Sequence, residues 1–449
     1  MDTTCKAAGL FPHPPVMIPE IGGNELARIA LTVKTEEQAM QKMVSSGMET
    51  VIIISPHNLC FHDGPSLFLT DSISGNLSDF GYPQLSMTLS IDRMLAEAVL
   101  QEAAPLIPLH RVDEEEARRY NRTLTIDWGT FVPMYYLQKA GFKGQAVMLS
   151  PCFSNYEINE ILGTIVERTA ARLGRKIGVI ASGDLSHRLT PESPNGYTEK
   201  GILFDKAVMD ALRRRDKTPL TSMTPEFIDE IAMCGLPSVY FLFGILGQRK
   251  ADMPCFSHEG PFGVGYGICL YLPHEEDEKE PAHDVRVKLA RESIRYFLEH
   301  GTIMDTPSPL APDLEKRAGA FVSLHKYGAL RGCIGTFLPC YKNTAEEIIH
   351  NARAAAMNDP RFPSLTAHEL DDLDISVDIL SSPEPAAITD LNVKKYGIIV
   401  ENGNRRGLLL PALDGVNSPE QQINIARRKA GIRNDEPIKL YRFTVKRYF

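Results

Sequence analysis

The sequence predicts an α/β N-terminal domain with a mostly parallel sheet, followed by an α+β C-terminal domain. Three observations carry this expectation. Short apolar runs alternate with helical stretches through the first part of the chain. An acidic segment at 274–284 then interrupts all apolar periodicity. Beyond it, helices mix with alternating strands. The length of 449 residues agrees with more than one domain, at roughly 100–200 residues each.

The buried-strand candidates are Val51–Ile54, Ala146–Leu149 and Ile177–Ala181, with helical spacing between them as in Ile158–Leu173. YGICLYLP, ending at Pro273, reads as the closing strand of the first domain. HEEDEKEPAHD follows, with six acidic residues and one lysine, and reads as a solvated linker. The predicted domains are therefore 1–273 and 285–449, joined by 274–284. Helical periodicity restarts with Val287, Ala290, Ile294, Phe297 and Leu298 and stops at Gly301. Further helices are expected at 344–357 and 418–430, and a strand at Asp374–Leu380.

Composition excludes several function classes. Hydrophobic residues make up 43% and charged residues 23%, as in ordinary globular protein rather than a disordered chain. No run of about 18 apolar residues marks a membrane span, and the first residues lack the basic and apolar regions of a secretory leader. A net charge of −9 argues against a surface that neutralises phosphates, so nucleic acid is not an expected partner. The eight cysteines form no C-x-x-C pair. They read as reduced thiols of a cytoplasmic protein.

Open α/β sheets bind ligands beyond the carboxyl ends of their strands. The first apolar run ends in Pro12-His13-Pro14-Pro15, the second in Pro56-His57, and the Ile177 run in Gly183-Asp184-Leu185-Ser186-His187. Three strands thus deliver histidines to one sheet edge, two of them beside prolines that fix the backbone. Neutral imidazoles so placed suit a divalent metal such as iron, copper or zinc, completed by a carboxylate or a thiolate. Asp184 is one candidate for that donor. Cys234 is another, at the end of a helix that Thr224 and Pro225 open and Gly235 closes. A second helix beginning near Pro237 would favour its thiolate. Glu230 is the carboxylate alternative, on a face expected to be solvated. Glycines 260, 263, 265 and 267 precede a strand rather than a helix, so they read as close packing near the site and not as a phosphate loop. His258 and Glu259 lead into them as candidate pocket residues.

FPHPP, SPH, SGDLSH, CGLPSVYFLFGIL and SHEGPFGVGYG occur in this order and resemble the LigB/Memo superfamily over residues 7–273. That superfamily includes catalytic subunits of class III extradiol dioxygenases. The resemblance implies non-haem Fe(II) held by His13 and His57, with His187 as an acid/base beside it. In the Memo branch a cysteine stands near the third ligand, and Cys234 matches it. Asp184 and His187 match a further Memo pair. Two departures weaken the case for ring cleavage. Many members carry Asp-His-Gly where this chain reads Asp127-Trp128-Gly129, and a thiolate replaces the glutamate ligand.

In the C-terminal domain, GALRGCIGTF places Cys333 among three glycines, two residues after Arg331. It reads either as a reactive thiol beside a cation or as a small buried residue in a strand–turn–strand. LRGCIGT, NDPRFPSL, SVDILSSPEP and RRGLLLP resemble the AMMECR domain family over about 285–447. In prokaryotes, Memo-like and AMMECR-like proteins accompany a radical-SAM protein, a three-part set termed AmmeMemoRadiSam, so the resemblance implies such a partner. The expected function is a dioxygenase-like, iron-dependent oxidoreductase acting on a small-molecule or protein-borne substrate, with copper or zinc as alternative metals. A non-catalytic metal-binding or docking module, and a zinc-dependent hydrolase, are the alternatives.

Overall fold

The computed structural model describes residues 4–274, 284–413 and 415–449, excepting the side chains of His368 and Asp371. Two compact units, Met1–Glu278 and Lys279–Phe449, divide the chain. The predicted linker at 274–284 lies largely outside the described residues.

The first unit is built on an eight-stranded sheet. Its strands are β1 (Cys5–Phe11), β2 (Thr50–Ile54), β3 (Ser66–Phe68), β6 (His110–Val112), β7 (Gln145–Ser150), β8 (Ile177–Ser182), β9 (Ala251–Glu259) and β10 (Tyr266–Pro273). A separate ribbon pairs β4 (Ser72–Leu77) with β5 (Tyr82–Ser90). The sheet order is β6-β3-β7-β2-β8-β1-β10-β9. The four central strands, β7-β2-β8-β1, are mutually parallel, and antiparallel pairings flank them. Every residue of β2 and β8 is buried, which explains why both read as unbroken apolar runs.

Helices cover both faces of this sheet. On one lie α1 (Ala30–Ser45) and α3 (Trp128–Lys139), over a core that includes Phe11, Met40, Met43, Ile53 and Phe131. On the other lie α2 (Arg93–Ala103), α4 (Tyr156–Arg172) and α7 (Leu236–Leu246). Two more helices, α5 (Glu199–Arg214) and α6 (Pro225–Ile231), precede α7. Among the described residues no single helix is long and apolar enough to cross a membrane.

The second unit is sheet-rich, as an α+β domain should be. Strands β11 (Ala320–Lys326), β12 (Ala329–Thr336), β13 (Leu373–Leu380) and β18 (Val445–Tyr448) form a sheet ordered β12-β11-β13-β18. Helices α8 (Val285–His300) and α9 (Thr344–Met357) pack on one face of it through Ala290, Ile294, Ile348 and Ala352. A second sheet joins β14 (Glu384–Pro385), β15 (Gly397–Asn402), β16 (Arg405–Leu409) and β17 (Lys439–Phe443), with α10 (Pro419–Ala430) against it. The expected strand–turn–strand around Cys333 is instead one continuous strand, β12. Its turn comes earlier, at Tyr327 and Gly328, both with positive φ. Arg331 is not the cation beside Cys333, because its guanidinium is bound by Glu369 and by the Pro363 carbonyl.

Limited proteolysis tests the domain boundary expected from the acidic composition. Cleavage within 274–284 should leave two fragments that each unfold cooperatively in urea. Fragments that lose structure on separation would refute independent folding.

Candidate metal centre

Each site residue follows a strand that ends at the same level of the sheet. β2, β8 and β1 are parallel neighbours, with Ile54 opposite Ala181 and Phe11 opposite Ser182. The chain therefore leaves the sheet side by side at His13, His57 and the Gly183–His187 turn. The fourth element is the junction of α6 and α7. Thr224 caps α6 as expected, accepting the Phe227 N–H. The helix ends earlier than expected, however. Ala232 takes the left-handed conformation at φ 53°, and Gly235 caps the next helix instead. That leaves Cys234 in the break between them. A Cβ on Gly183 would run into the Cα of Gly235, so two bare backbones in contact bring Cys234 to the sheet edge.

His13 Nε2 and His57 Nε2 are 2.9 Å apart, and Cys234 Sγ is 3.6 Å from His13 Nε2. One ligand atom from each of His13, His57 and Cys234 lies within 4.8 Å of the others. In a tetrahedral zinc-type site, bonds of about 2.0–2.1 Å to nitrogen and about 2.3 Å to sulfur separate the donors by about 3.3–3.6 Å. The His13–Cys234 separation falls in this range, and the two imidazole nitrogens are closer still. His187 Nε2 stands 4.0 Å from the same sulfur. Asp184 Oδ1 accepts the His13 backbone N–H at 3.0 Å, and its Oδ2 lies 3.8 Å from His13 Nε2.

The hydrogen bonds set the proton positions. Ser182 Oγ donates to the Gly129 carbonyl at 2.5 Å, so it accepts from His13 Nδ1 at 2.8 Å. His13 is therefore the Nδ1–H tautomer, with its Nε2 lone pair facing the cluster. Burial lowers both ligand-type histidines to about 3, so they are neutral. Burial also lowers His187 and raises Asp184 to about 6. The expected effect of the helix N-terminus on Cys234 is overridden. Burial, and then the nearby Asp184 carboxyl, push this thiol well above its ordinary range. The Asp184 N–H, 3.3 Å from the sulfur, is one compensating donor. A bound divalent cation would reverse this balance.

Ser182 and Ser55 were not singled out by sequence reasoning. Ser182 orients His13, as described. Ser55 donates to Asp127 Oδ1 at 2.5 Å, and Asp127 caps α3 through the Thr130 N–H. That cap seats Trp128 flat on His57, with ring centroids 4.1 Å apart. A cavity of about 410 Å³ borders His57 and is lined also by Asn58, Cys60, Arg122 and Asp127. Glu230 does not join the ligand cluster and is paired with Lys200 and Thr198. His258 is not a free pocket residue, because its ring is bound to buried Asp205, which also takes the Ser186 N–H. Glu259 likewise accepts from Thr32. The glycine-rich segment does pack closely, exchanging backbone hydrogen bonds between Gly265 and the Leu185–Ser186 turn.

A family model described as the catalytic LigB subunit of aromatic ring-opening dioxygenase matches residues 7–269. The chain belongs to the LigB family. A second model, AMMECR1, matches residues 287–448, so this LigB-family protein carries an AMMECR1 domain behind its first domain. Protein CA_C1420 of Clostridium acetobutylicum is 37% identical over 98% of both chains and shares the fused arrangement in length. A protein of Thermotoga maritima is 51% identical over 36% of this chain and 95% of its own. The crystal structure of uncharacterized protein PH0010 from Pyrococcus horikoshii is 34% identical, covering 36% of this chain and 88% of that one, with a TM-score of 0.34. The LigB superfamily is extradiol-dioxygenase-like and typically binds a divalent metal, and the His-His-Cys cluster has the donors for one.

Metal affinity should rise with pH, and the sign follows from the donors. The histidines are already neutral, whereas the raised Cys234 thiol must lose its proton on binding. Between pH 7 and 8.5 the apparent association constant should climb about tenfold per unit, one proton released per metal. Competition with a chelator checks this, and Cys234→Ser should flatten the slope. The single tryptophan offers a second readout. Because Trp128 is stacked on His57, a paramagnetic ion such as Cu(II) should quench its fluorescence, saturating near one equivalent. His57→Ala should abolish that saturable quenching.

Proposed function

We propose that the N-terminal domain is a mononuclear, non-haem metal oxidoreductase that uses iron and acts on a small-molecule or protein-borne substrate. The observation that carries this reading is the convergence of His13, His57 and Cys234 within 4.8 Å, inside a LigB-family domain. These three residues would hold the metal, which when bound supplies Lewis acidity and one-electron redox chemistry. A set of two imidazoles and a thiolate favours iron, copper or zinc over magnesium or calcium.

The remaining roles belong to the protein. Ser182 keeps the His13 lone pair directed inward. Asp184 anchors the His13 backbone. With a pKa raised to about 6, it is poised to carry a proton near neutral pH. His187 Nε2, at the rim of the cluster, is positioned to give or take a proton from substrate. We assign the radical-SAM protein as partner, and the cytoplasm as location, on the resemblance of the two fused domains to components of that three-part system.

One observation favours a second reading, a metal-binding module without turnover. Trp128 occupies the position of the usual pocket histidine and lies flat on His57. An indole offers no acid/base group there.

Metal analysis of protein purified without oxygen, followed by O₂ uptake with catechols, tests the proposal. Iron near one equivalent and a thiolate-to-metal absorption are expected. Cys234→Ser should weaken binding and remove that absorption, while Glu230→Gln should leave both intact. His187→Ala should keep the metal and lower turnover roughly 10²–10⁴-fold. Iron bound without turnover of any catechol would favour the module. Loss of metal in Glu230→Gln but not in Cys234→Ser would overturn the ligand assignment.

A further inference from the structure

The α8 and α9 helices cover one face of the β12-β11-β13-β18 sheet, and the opposite face carries a polar row. Cys333, Ser323 and Ser376 are direct cross-strand neighbours, with Ser323 opposite Cys333 on β12 and opposite Ser376 on β13. The three side chains share one face because facing residues of paired strands point the same way. Ser323 Oγ donates to Cys333 Sγ at 3.2 Å. Ser376 is only 6% exposed, yet its hydroxyl has no hydrogen-bond partner among the described residues. Its oxygen is not fully enclosed, so it reaches the surface of the row and is open to a partner from outside the domain.

An arginine stands at each end of the row. β12 is an edge strand, so the Cys333 N–H points outward, where Asp359 Oδ2 accepts it at 2.8 Å. Arg361 binds that same carboxylate and the Cys333 carbonyl. At the other edge, Arg447 on β18 pairs with Asp378 through Nε and Nη2. Both aspartates are buried beneath their arginines, while the guanidinium groups are about half exposed. The face therefore presents the cations and hides the anions. Each arginine keeps its Nη1 group without a partner among the described residues. Both guanidinium groups also lie near enough to Cys333 for a thiolate there to raise their pKa.

We propose that this row is a binding site for a small molecule bearing a carboxylate or phosphate, held by Arg361, Arg447 and Ser376 against the Cys333 thiol. Free Nη1 donors and an unpaired hydroxyl are the groups that recognise such an oxyanion. The site is independent of the metal centre, and its test does not depend on the function proposed for that centre.

Iodoacetate and iodoacetamide both alkylate a thiolate with loss of iodide, and they differ in charge. Mass spectrometry of the full-length protein gives both rates at Cys333, in the native chain and in the urea-unfolded chain. The iodoacetate-to-iodoacetamide rate ratio should be about fivefold or more higher in the native state, because the fixed cations concentrate the anionic reagent. Inorganic phosphate should slow the native reaction with iodoacetate. Arg447→Gln should return the ratio toward the unfolded value. Should that variant fail to fold, the near-isosteric Ser376→Ala should weaken protection by phosphate. A native ratio equal to the unfolded one, absence of phosphate protection, or a Cys333 inert to both reagents would overturn the proposal.

Discussion

The candidate centre depends on one close approach, backbone against backbone at Gly183 and Gly235. β8 ends at Ser182, and the α6–α7 break passes directly over Gly183, the next residue. A side chain on either glycine would push the break away from the sheet, taking Cys234 with it. The histidines do not depend on this contact, because the parallel register of β1, β8 and β2 already levels their strand ends. The sheet thus supplies two donors by topology. The third arrives only because two glycines let a helix junction settle on the strand edge. The Gly235 N–H then closes the contact by donating to the Asp184 carbonyl at 2.8 Å.

Burial makes the cluster a set of uncharged donors. Lowering His13 and His57 and raising Cys234 share one largest cause, the cost of charge in a dry site. A cation entering there meets two neutral imidazoles and one thiol proton to displace. Ser182 completes the arrangement without charge of its own. By accepting from His13 Nδ1 it determines which nitrogen faces the cluster. The two rings are held together by the 2.9 Å hydrogen bond between their Nε2 atoms.

Much of this was legible in the sequence, and the reasons are physical. Parallel strands buried on both faces must be continuous apolar runs, so β2, β7 and β8 stood out, and the residues after two of them gave site positions. The flanking strands were harder. β3 and β6 are three residues each, too short to show a period. The end of α6 was misplaced because Ala232 carries no signal for a left-handed conformation, whereas Gly235 carries a strong but misleading one. Ser182 escaped notice because a serine ending a strand is common. Its role comes from the Gly129 carbonyl, far away in the chain. In the second domain, Cys333 stood out among its glycines, but its neighbours Ser323 and Ser376 come from other strands. Arg331, close in sequence, was a false lead, and the cations near the thiol are Arg361 and Arg447.

Trp128 limits what the first domain can do with a proton. A histidine there would add a titratable group beside His57, whereas the indole adds only a flat apolar surface and one N–H donor. The titratable groups beside the three candidate ligands are then Asp184 and His187, which share the turn after β8. They are coupled: the Asp184 carboxylate favours the protonated imidazole, and His187 opposes the rise in Asp184 that burial causes. Ser186, between them, is held by buried Asp205. Both titratable groups beside the three candidate ligands therefore come from a single turn, the one after β8, whereas Trp128 comes from the start of α3.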